Sequence, residues 1–490
     1  MVKNSRVVVI DNGAGRIKYS SPGAAAAEFT FPQATNVSSS SSSSVNLQQN
    51  SSSSDGQLSS MPNCVARMNK QMQVLVGDEV DSAQNGSLLS YTRPFDRGYI
   101  TNMHCQIEVW SRLFNKILKL GNDIDSTSIC LTEAPFVPES IQNDMNEVIF
   151  EDFGFDSCLR RPSAWFSSYE FSHSGAKRTH ATSTSSSSVG ASAGSSSSDR
   201  INVNVNNDSI FGTNFTSSCT IIDSGFSFTH ILPFVDGKCI KKSVKRVNIG
   251  GKLLTNYLKE MVSYRQWNMM DEFKLMDNVK EDLCYISNDF HTDLNSVALY
   301  SSNQKGIHGR TGTAAGPIQD YTNRNNLKKG YILPDFQTIM KGYVRPDHIA
   351  PDPNHQELTM ETERFCVPEV LFHPSDVGMD QGGIIDATAE SLNSLNAVDG
   401  GLASANIVLT GGNCKFPQFE TRFYNDLRPM LPDIYECKTF LPNEPENYSW
   451  YGANRFATCG DGQYQKACVS KKEYFEYGNA YVNEKYWRGW

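Results

Sequence analysis

Short apolar runs that end in glycine turns alternate with longer amphipathic segments along this chain. Three of the runs, at residues 7–10, 220–222 and 405–410, are rich in β-branched residues. Apolar runs of this kind, bounded by turn residues, are typical of buried strands. The pattern therefore predicts three interior strands, each followed by a tight turn.

Four longer segments carry apolar residues at helical spacing. They cover residues 106–120, 139–153, 252–262 and 416–427, and each gathers its apolar side chains on one face. Such stripes indicate helices that pack against a sheet. Because predicted strands alternate with predicted helices, the fold class should be α/β.

Low-complexity tracts interrupt this pattern at five places. They lie at residues 38–44, 51–54, 182–198, 202–207 and 306–326, and Ser, Asn, Gly or Thr dominates each. Such tracts bury too little apolar area to offset the entropy of ordering them, so we expect disordered loops inserted in a folded scaffold. They could be partner-binding or phosphorylated loops, but their few aromatic or charged anchors favour neutral expansions.

Charge and length restrict the possible functions. The 490 residues can bury a sizeable core, and the net charge of −9 gives no overall basic surface for nucleic acid. One basic run, Lys238, Lys241, Lys242, Lys245 and Arg246, is expected to be a solvated face rather than a DNA site. No apolar run approaches the ~20 residues that span a bilayer, so we expect no membrane association and a cytosolic or nuclear protein.

Cysteine and histidine patterns suggest no metal centre. The twelve cysteines are scattered without a C-x-x-C pair, and no H-E-x-x-H motif occurs. For an intracellular chain this spacing favours free, mostly buried thiols over zinc ligands or disulfides. His230 follows the turn after the second predicted strand, and a lone histidine beside a strand is more often a structural residue.

The predicted turns carry the candidate chemistry. VVVIDNGAG (residues 7–15) and TIIDSGFS (residues 220–227) each end a strand in Asp-x-Gly. Glycine lets backbone N–H groups approach an anion, and the Asp can hold a hydrated divalent cation at phosphates. Two copies suggest an internally duplicated fold that clamps a nucleotide, and Gly411-Gly412 would suit close approach to an adenosine.

These segments, in this order, resemble the actin family. Further matches of the same kind are VGDEV (76–80), GYITN (98–102), LTEAPFVP (131–138), VKEDLCYIS (279–287), ERFCVPEVLFHPSDVGM (363–379) and VSKKEY (469–474). They cover nearly the whole chain outside the inserts. The resemblance implies an α/β fold of two lobes, duplicated as in actin, Hsp70 and sugar kinases.

The resemblance also implies a division into subdomains. The first large subdomain would combine residues 1–32, 92–172 and 446–490, with an outer small subdomain at 33–91 that carries a Ser-rich insert. The second large subdomain would combine 219–250 and 360–445, and the second small subdomain would be 251–359. Low-complexity inserts would fill 173–218 and the region near 301–330.

Nucleotide contacts follow from the resemblance. The positions that match them are Asp11, Asn12, Gly13, Gly15, Lys18, Asp223, Gly225, Lys280, Glu281, Gly411, Gly412 and Phe416. Of these, Asp11 and Asp223 would serve a metal ion. The implied cofactor is ATP or ADP with Mg²⁺, and the alternative is an empty cleft whose glycines only serve tight turns.

Three positions linked to hydrolysis depart from actin. Phe226 stands where actin has the carboxylate of its second loop, and Ala14 stands where actin has a serine that donates to the terminal phosphate. Ser163 falls near the glutamine that orients the attacking water, and Glu446 near a lysine that packs on adenine. These departures imply nucleotide binding without efficient turnover and no catalytic residue, although weak hydrolysis stays open.

The segments 222–234 and 247–266 are most similar to a nuclear branch of the actin-related proteins. The resemblance implies a structural subunit of a Swr-type chromatin remodeller, which exchanges a histone variant into nucleosomes. The implied partners are a motor ATPase, a zinc-finger subunit and, through the complex, the histone variant dimer and the nucleosome. The implied location is the nucleus, with some cytoplasmic pool.

Two other functions are compatible with the same fold. One is a cytoskeletal actin-like protein that forms or binds filaments, against which the Ser-rich insert after Phe31 argues because it would alter the outer lobe. The other is a sugar kinase or chaperone ATPase, which needs a carboxylate at a substrate hydroxyl or a peptide-binding domain. Neither feature is evident in the sequence.

Overall fold

The structure is a computed structural model that describes residues 6–20, 58–68, 74–83, 89–174, 218–305, 327–488 and 490. In the helix that ends at residue 305, side chains are described as far as residue 297. The low-complexity tracts at 38–44, 51–54, 182–198, 202–207 and 306–326 lie outside the described residues.

The described strands are short, and most are buried on at least one face. In chain order they are β1 Arg6–Asn12, β2 Arg16–Ser20, β3 Leu58–Pro62, β4 Val65–Met68, β5 Val74–Val76, β6 Leu89–Thr92, β7 Phe95–Asp96, β8 Tyr99–Ile100, β9 Thr127–Glu133, β10 Ser157–Pro162, β11 Cys219–Ser224, β12 Thr229–Val235, β13 Lys238–Cys239, β14 Lys245–Val247, β15 Lys329–Ile332, β16 Tyr343–Val344, β17 Glu357–Met360, β18 Ile407–Thr410, β19 Thr439–Phe440 and β20 Val469–Ser470.

The described α-helices are interspersed among these strands. They are α1 Asp78–Asp81, α2 Met103–Arg112, α3 Glu139–Glu147, α4 Ser163–His173, α5 Gly251–Arg265, α6 Phe273–Leu283, α7 Phe290–Lys305, α8 Glu363–Glu369, α9 Ile384–Asn393, α10 Ala397–Ser404, α11 Phe419–Leu427, α12 Tyr448–Thr458, α13 Gln463–Ala467 and α14 Lys471–Trp487.

Two main sheets repeat one arrangement. The first has the order β20-β10-β9-β1-β2-β3, and the second has β13-β12-β11-β18-β19, with β14 added beside β12. β1 pairs in parallel with β9 and antiparallel with β2, just as β11 pairs in parallel with β18 and antiparallel with β12. The three strands predicted from sequence are β1, β11 and β18, and the predicted duplication is visible in the matching strand pairings.

Two hydrophobic cores accompany the main sheets. One contains Ile10 and Leu131 of the first sheet together with Ile221 and Val408 of the second, and the other contains Ile222 and Leu409 of the second sheet. Two smaller sheets, β5-β4-β6 and β16-β15-β17, accompany them. The subdomain boundaries given from sequence stay a prediction.

Helices α4 and α12 pack closely beside the first sheet. A Cβ added at Gly452 of α12 would lie 2.0 Å from the carbonyl oxygen of Phe166 in α4, so the two helices approach through their backbones. Trp450 of α12 donates its indole N–H to the carbonyl of Val9 in β1 at 3.3 Å. These contacts fix the start of each helix beside the ends of the central strands.

Three predicted helices differ in detail from the structure. The segments 106–120 and 139–153 begin as α2 and α3 but continue as π-helical turns at Leu113–Ile117 and Val148–Phe153. The prediction that a helix begins at residue 416 is wrong by three residues, since α11 begins at Phe419. Gln418 has a φ of 69°, and this left-handed residue separates α11 from the preceding 3₁₀ turn.

The cysteines are free and mostly buried, as the sequence predicts. All twelve cysteines are free thiols, and all but Cys366 and Cys459 are buried. The described residues contain no group of three or more His, Cys, Asp or Glu side chains that could hold a metal ion. Within the same part of the chain, no helix has the length and apolar character that a bilayer crossing requires.

The basic run is partly engaged within the protein. Lys245 forms an ion pair with Glu390, and the guanidinium of Arg246 lies 3.8 Å from the ring centroid of Phe228. Lys238 is exposed. This agrees with the expectation of a solvated face.

Candidate functional site

A cavity of about 860 Å³ is lined by both glycine turns, between β1 and β2 and between β11 and β12. This volume lies in the range of small-molecule sites. The cavity brings together all twelve nucleotide contacts expected from sequence: Asp11, Asn12, Gly13, Gly15, Lys18, Asp223, Gly225, Lys280, Glu281, Gly411, Gly412 and Phe416. Positions as far apart in the chain as Asp11 and Phe416 therefore share one surface.

Asp11 is the centre of a buried polar cluster. The β1–β2 register places Lys18 directly opposite it, with the ammonium 2.6 Å from Oδ2. Thr132 donates to Oδ1 at 2.6 Å and Ser449 donates to Oδ2 at 3.1 Å. Burial alone would raise the pKa of Asp11, but the charge of Lys18 and these hydrogen bonds leave that pKa below its ordinary value. These contacts therefore favour the ionised form of Asp11 in the cavity.

Asp223 occupies the corresponding position at the end of β11. Ser163, the first residue of α4, donates its hydroxyl to Oδ2 at 2.8 Å. Burial at the cavity wall raises the pKa of Asp223, and the negative charge of Asp11 raises it further. The two carboxylates differ because the partner of Asp11 is a cation and that of Asp223 is a neutral hydroxyl.

Residues 411–413 brace the second turn. Gly411 has a φ of 94°, and a Cβ added there would lie 2.2 Å from the carbonyl oxygen of Ser224. Asn413 donates to the Ser224 hydroxyl at 3.1 Å and to the Gly225 carbonyl at 2.9 Å. A Cβ at Gly412, in contrast, would meet no protein atom within 4 Å, so this position borders open space in the cavity.

Lys280 connects α6 to α5 at the cavity wall. Its ammonium donates to Asp277 at 2.6 Å, to the Thr255 hydroxyl at 2.8 Å and to the Gly251 carbonyl at 3.3 Å. A lysine has three N–H donors, and these three acceptors use them all. Lys280 therefore shapes the wall, with its charge balanced inside the protein.

Phe226 extends from the second turn to the first. A Cβ added at Gly15 would lie 3.0 Å from Cγ of the Phe226 ring. The guanidinium of Arg93 lies 4.7 Å from the centroid of the same ring and also contacts the Gly15 carbonyl at 3.5 Å. The residue that departs from actin thus lies directly between the two turns.

Several cavity residues were not identified from sequence. They are Thr132, Ser449, Arg93, Asp277 and Asn413, all of which line the cavity. Thr132 lies inside the matched segment 131–138 and could have been singled out there. Ser449 is separated from Asp11 by 438 positions and has no local signal.

The residues present fit a nucleotide with a hydrated divalent cation. The paired turns offer backbone N–H groups to phosphates, and the open space at Gly412 allows close approach of a ligand. A Mg²⁺ ion usually keeps several waters and takes only one or two protein carboxylates, so Asp11 and Asp223 are a sufficient protein donor set when phosphate oxygens complete the shell.

The raised pKa of Asp223 predicts an effect on stability. A carboxyl whose pKa is higher in the folded than in the unfolded state stabilises the fold below its ordinary pKa and loses that contribution as the pH rises through the folded value. We therefore expect Asp223→Asn to raise the melting temperature of the ligand-free protein at neutral pH. Thermal unfolding measured at a series of pH values should show that the difference in melting temperature between Asp223→Asn and the wild type becomes smaller as the pH falls.

Asp11→Asn is the matched control, because its carboxyl has the opposite shift. Removing that charge leaves Lys18 without its partner, so this variant should melt at a lower temperature than the wild type at neutral pH. If Asp223→Asn and Asp11→Asn both lowered the melting temperature at neutral pH, this result would contradict the different environments assigned to the two carboxylates.

Comparisons with known proteins agree with this geometry. A family model for actin matches residues 2–487. Actin-related protein 6 of Drosophila melanogaster is 31% identical over 428 residues, which cover 87% of this chain and 93% of the relative. Actin-related protein 6 of Arabidopsis thaliana is 30% identical over 513 residues, covering 98% and 99%. The protein of the same name from Dictyostelium discoideum is 29% identical over 460 residues, covering 87% and 89%.

Proposed function

Because this chain belongs to the actin family, we propose that it is a nuclear actin-related protein that holds a nucleotide without efficient turnover. In this proposal it is a structural, non-catalytic subunit of a Swr-type chromatin remodeller, which exchanges a histone variant into nucleosomes. The similarity to proteins named actin-related protein 6 over most of the chain supports the assignment. The cytoskeletal alternative has no comparable support.

One observation carries the non-catalytic part of the proposal. The hydroxyl of Ser163 already donates to Asp223 at 2.8 Å, and the neighbouring Phe226 presents an apolar ring between the turns. A base or a water-positioning group needs to reach the attacking water by a hydrogen bond. Ser163 uses its only hydroxyl proton on Asp223, and Phe226 has no polar side-chain atom, so the cavity is better suited to hold a nucleotide than to cleave it.

A bound nucleotide would have a structural purpose. Both turns and residues 411–412 line one cavity, although they belong to different sheets. A ligand that touches all of them stabilises the folded arrangement by about 2.7 kcal/mol at a hundredfold excess over its dissociation constant. Such a ligand fixes the relative position of the two halves for partner proteins.

Affinity purification of the tagged full-length protein from nuclear extract tests the proposed assembly. We expect a large motor ATPase, a zinc-finger subunit and histone-variant dimers to co-purify, and fractionation to place most of the protein in the nucleus. Recovery of cytoskeletal proteins alone, or sedimentation of the purified protein as filaments in salt and magnesium, would contradict the proposal.

Single-turnover kinetics test the non-catalytic role. We expect the purified protein, incubated with saturating magnesium and radiolabelled ATP, to release phosphate much more slowly than conventional actin under the same conditions. The reason is that Phe226 has no polar side-chain atom and the hydroxyl proton of Ser163 is already donated to Asp223. Phosphate release at the rate of actin would show that another residue performs this step.

A further inference from the structure

The side chain of Phe226 closes the gap between the two glycine turns. A Cβ at Gly15 would lie 3.0, 3.1 and 3.2 Å from Cγ, Cδ2 and Cβ of Phe226. Because these distances are at or below ordinary contact for an added carbon, the ring already packs against the backbone of the first turn. At Gly15, the gap between the turns is therefore occupied by the ring of Phe226.

The backbone of Phe226 is fixed in place. Its carbonyl accepts a hydrogen bond from the N–H of Lys252 at 2.8 Å, at the start of α5. Behind it, a Cβ added at Gly250 would lie 2.6 Å from the Phe226 carbonyl oxygen, so the turn is already in tight contact with residue 250. These contacts fix the backbone of Phe226 relative to α5, so the turn and the start of α5 form one rigid unit.

The ring is held from the other side as well. The guanidinium of Arg93 lies 4.7 Å from the centroid of Phe226 and 5.4 Å from that of Phe273. The two rings meet edge to face with centroids 6.2 Å apart. A cation over an aromatic face and an edge-to-face ring pair are both favourable arrangements. Rotating the Phe226 ring aside would sacrifice both.

The side chains between the turns also offer nothing polar to a phosphate. Ala14 and Phe226 both line the cavity there and contribute only carbon atoms from their side chains. A phosphate pressed against these side chains would lose part of its hydration and could recover hydrogen bonds only from the backbone of the turns, which is unfavourable. The ammonium of Lys18 is already balanced by Asp11 at 2.6 Å.

We propose that Phe226 makes this cavity selective for a nucleoside diphosphate over the corresponding triphosphate. This inference rests on the proposed nucleotide-binding function and adds the length of the phosphate chain. The third phosphate of a triphosphate would have to enter the gap between the turns, where the ring lies. A diphosphate leaves the ring and its contacts undisturbed.

Competitive titration with a fluorescent adenine nucleotide tests the selectivity in the full-length protein. We expect unlabelled ADP to bind more tightly than ATP by about tenfold or more, the cost of one poorly satisfied polar group. In Phe226→Ala the two affinities should become similar, mainly because ATP binds more tightly. Phe228→Ala is the matched control, because it removes a ring of the same turn that faces Gly98 and leaves Phe226 against Gly15, and it should keep the preference for ADP.

The possible outcomes separate this inference from the proposed function. Equal affinities of the wild type for ADP and ATP, or a preference that survives in Phe226→Ala, would overturn the selectivity while leaving nucleotide binding intact. Binding of neither nucleotide to any of the three proteins would overturn the proposed function and this inference with it.

Discussion

Lys18→Met is expected to lower the free energy of unfolding by about 3–5 kcal/mol, because it leaves the carboxylate of Asp11 buried without its cation. Methionine keeps the length of the side chain and removes its charge. Only 16% of the Lys18 side chain and 7% of the Asp11 side chain are exposed, so water cannot take the place of the ammonium. Urea unfolding followed by circular dichroism measures this loss.

The pH dependence identifies the cause of that loss. In the wild type Lys18 lowers the pKa of Asp11, so the stability from this pair is present above the ordinary carboxyl pKa and is lost in acid. Without the lysine, Asp11 becomes protonated more readily in the folded state. The difference in the free energy of unfolding between the wild type and Lys18→Met should therefore become smaller as the pH falls.

Lys415→Met is the matched control for the ion pair. Lys415 also lines the cavity and pairs with Glu446 at 2.6 Å, but 55% of its side chain is exposed. Exposed pairs contribute about 1 kcal/mol or less. If Lys415→Met lowered the free energy of unfolding as much as Lys18→Met does, this result would contradict the special role of the buried cluster around Asp11.

Gly411→Ala is expected to destabilise the protein by about 2–5 kcal/mol, from backbone strain together with overpacking. The φ of 94° at Gly411 favours glycine, and the new Cβ would lie 2.2 Å from the carbonyl oxygen of Ser224. The clash is with the backbone of the second turn, so a side-chain rotation cannot relieve it. The denaturation midpoint and the yield of folded protein report the effect.

At the next position, Gly412→Ala is expected to weaken nucleotide binding without destabilising the fold. A Cβ there meets no protein atom within 4 Å, and Gly412 has no left-handed φ, so the fold should tolerate alanine. The same Cβ projects into space that a nucleotide would use, and we expect nucleotide affinity to fall about tenfold or more. A strongly destabilised Gly412→Ala with unchanged affinity would contradict this placement of the cavity.

Local patterns were sufficient to predict the strands and turns of the site. The β-branched runs before Asp11 and Asp223 became β1 and β11, and the Asp-x-Gly turns became the two hairpin turns at the cavity. Both features are local, because strand propensity and glycine turns depend on neighbouring residues. The resemblance to actin then placed distant segments around the same cavity.

Contacts between distant residues could not be predicted in this way. Thr132 and Ser449 lie 121 and 438 positions from Asp11, and only the packing of β9 and α12 brings them to its carboxylate. Phe226 was recognised as a departure from actin, but its contact with Gly15 depends on how the two halves of the chain meet. The start of α11 was also missed, because the left-handed conformation of Gln418 has no clear sequence signal.

The most direct test of the central claim, that this cavity holds a nucleotide, is equilibrium titration of the purified full-length protein with a fluorescent ADP. The wild type should bind it in a saturable manner that unlabelled ADP reverses, and Gly412→Ala should bind it more weakly while remaining folded. Absence of saturable binding to the folded wild-type protein would contradict the claim, and would mean that the glycine turns serve the fold alone.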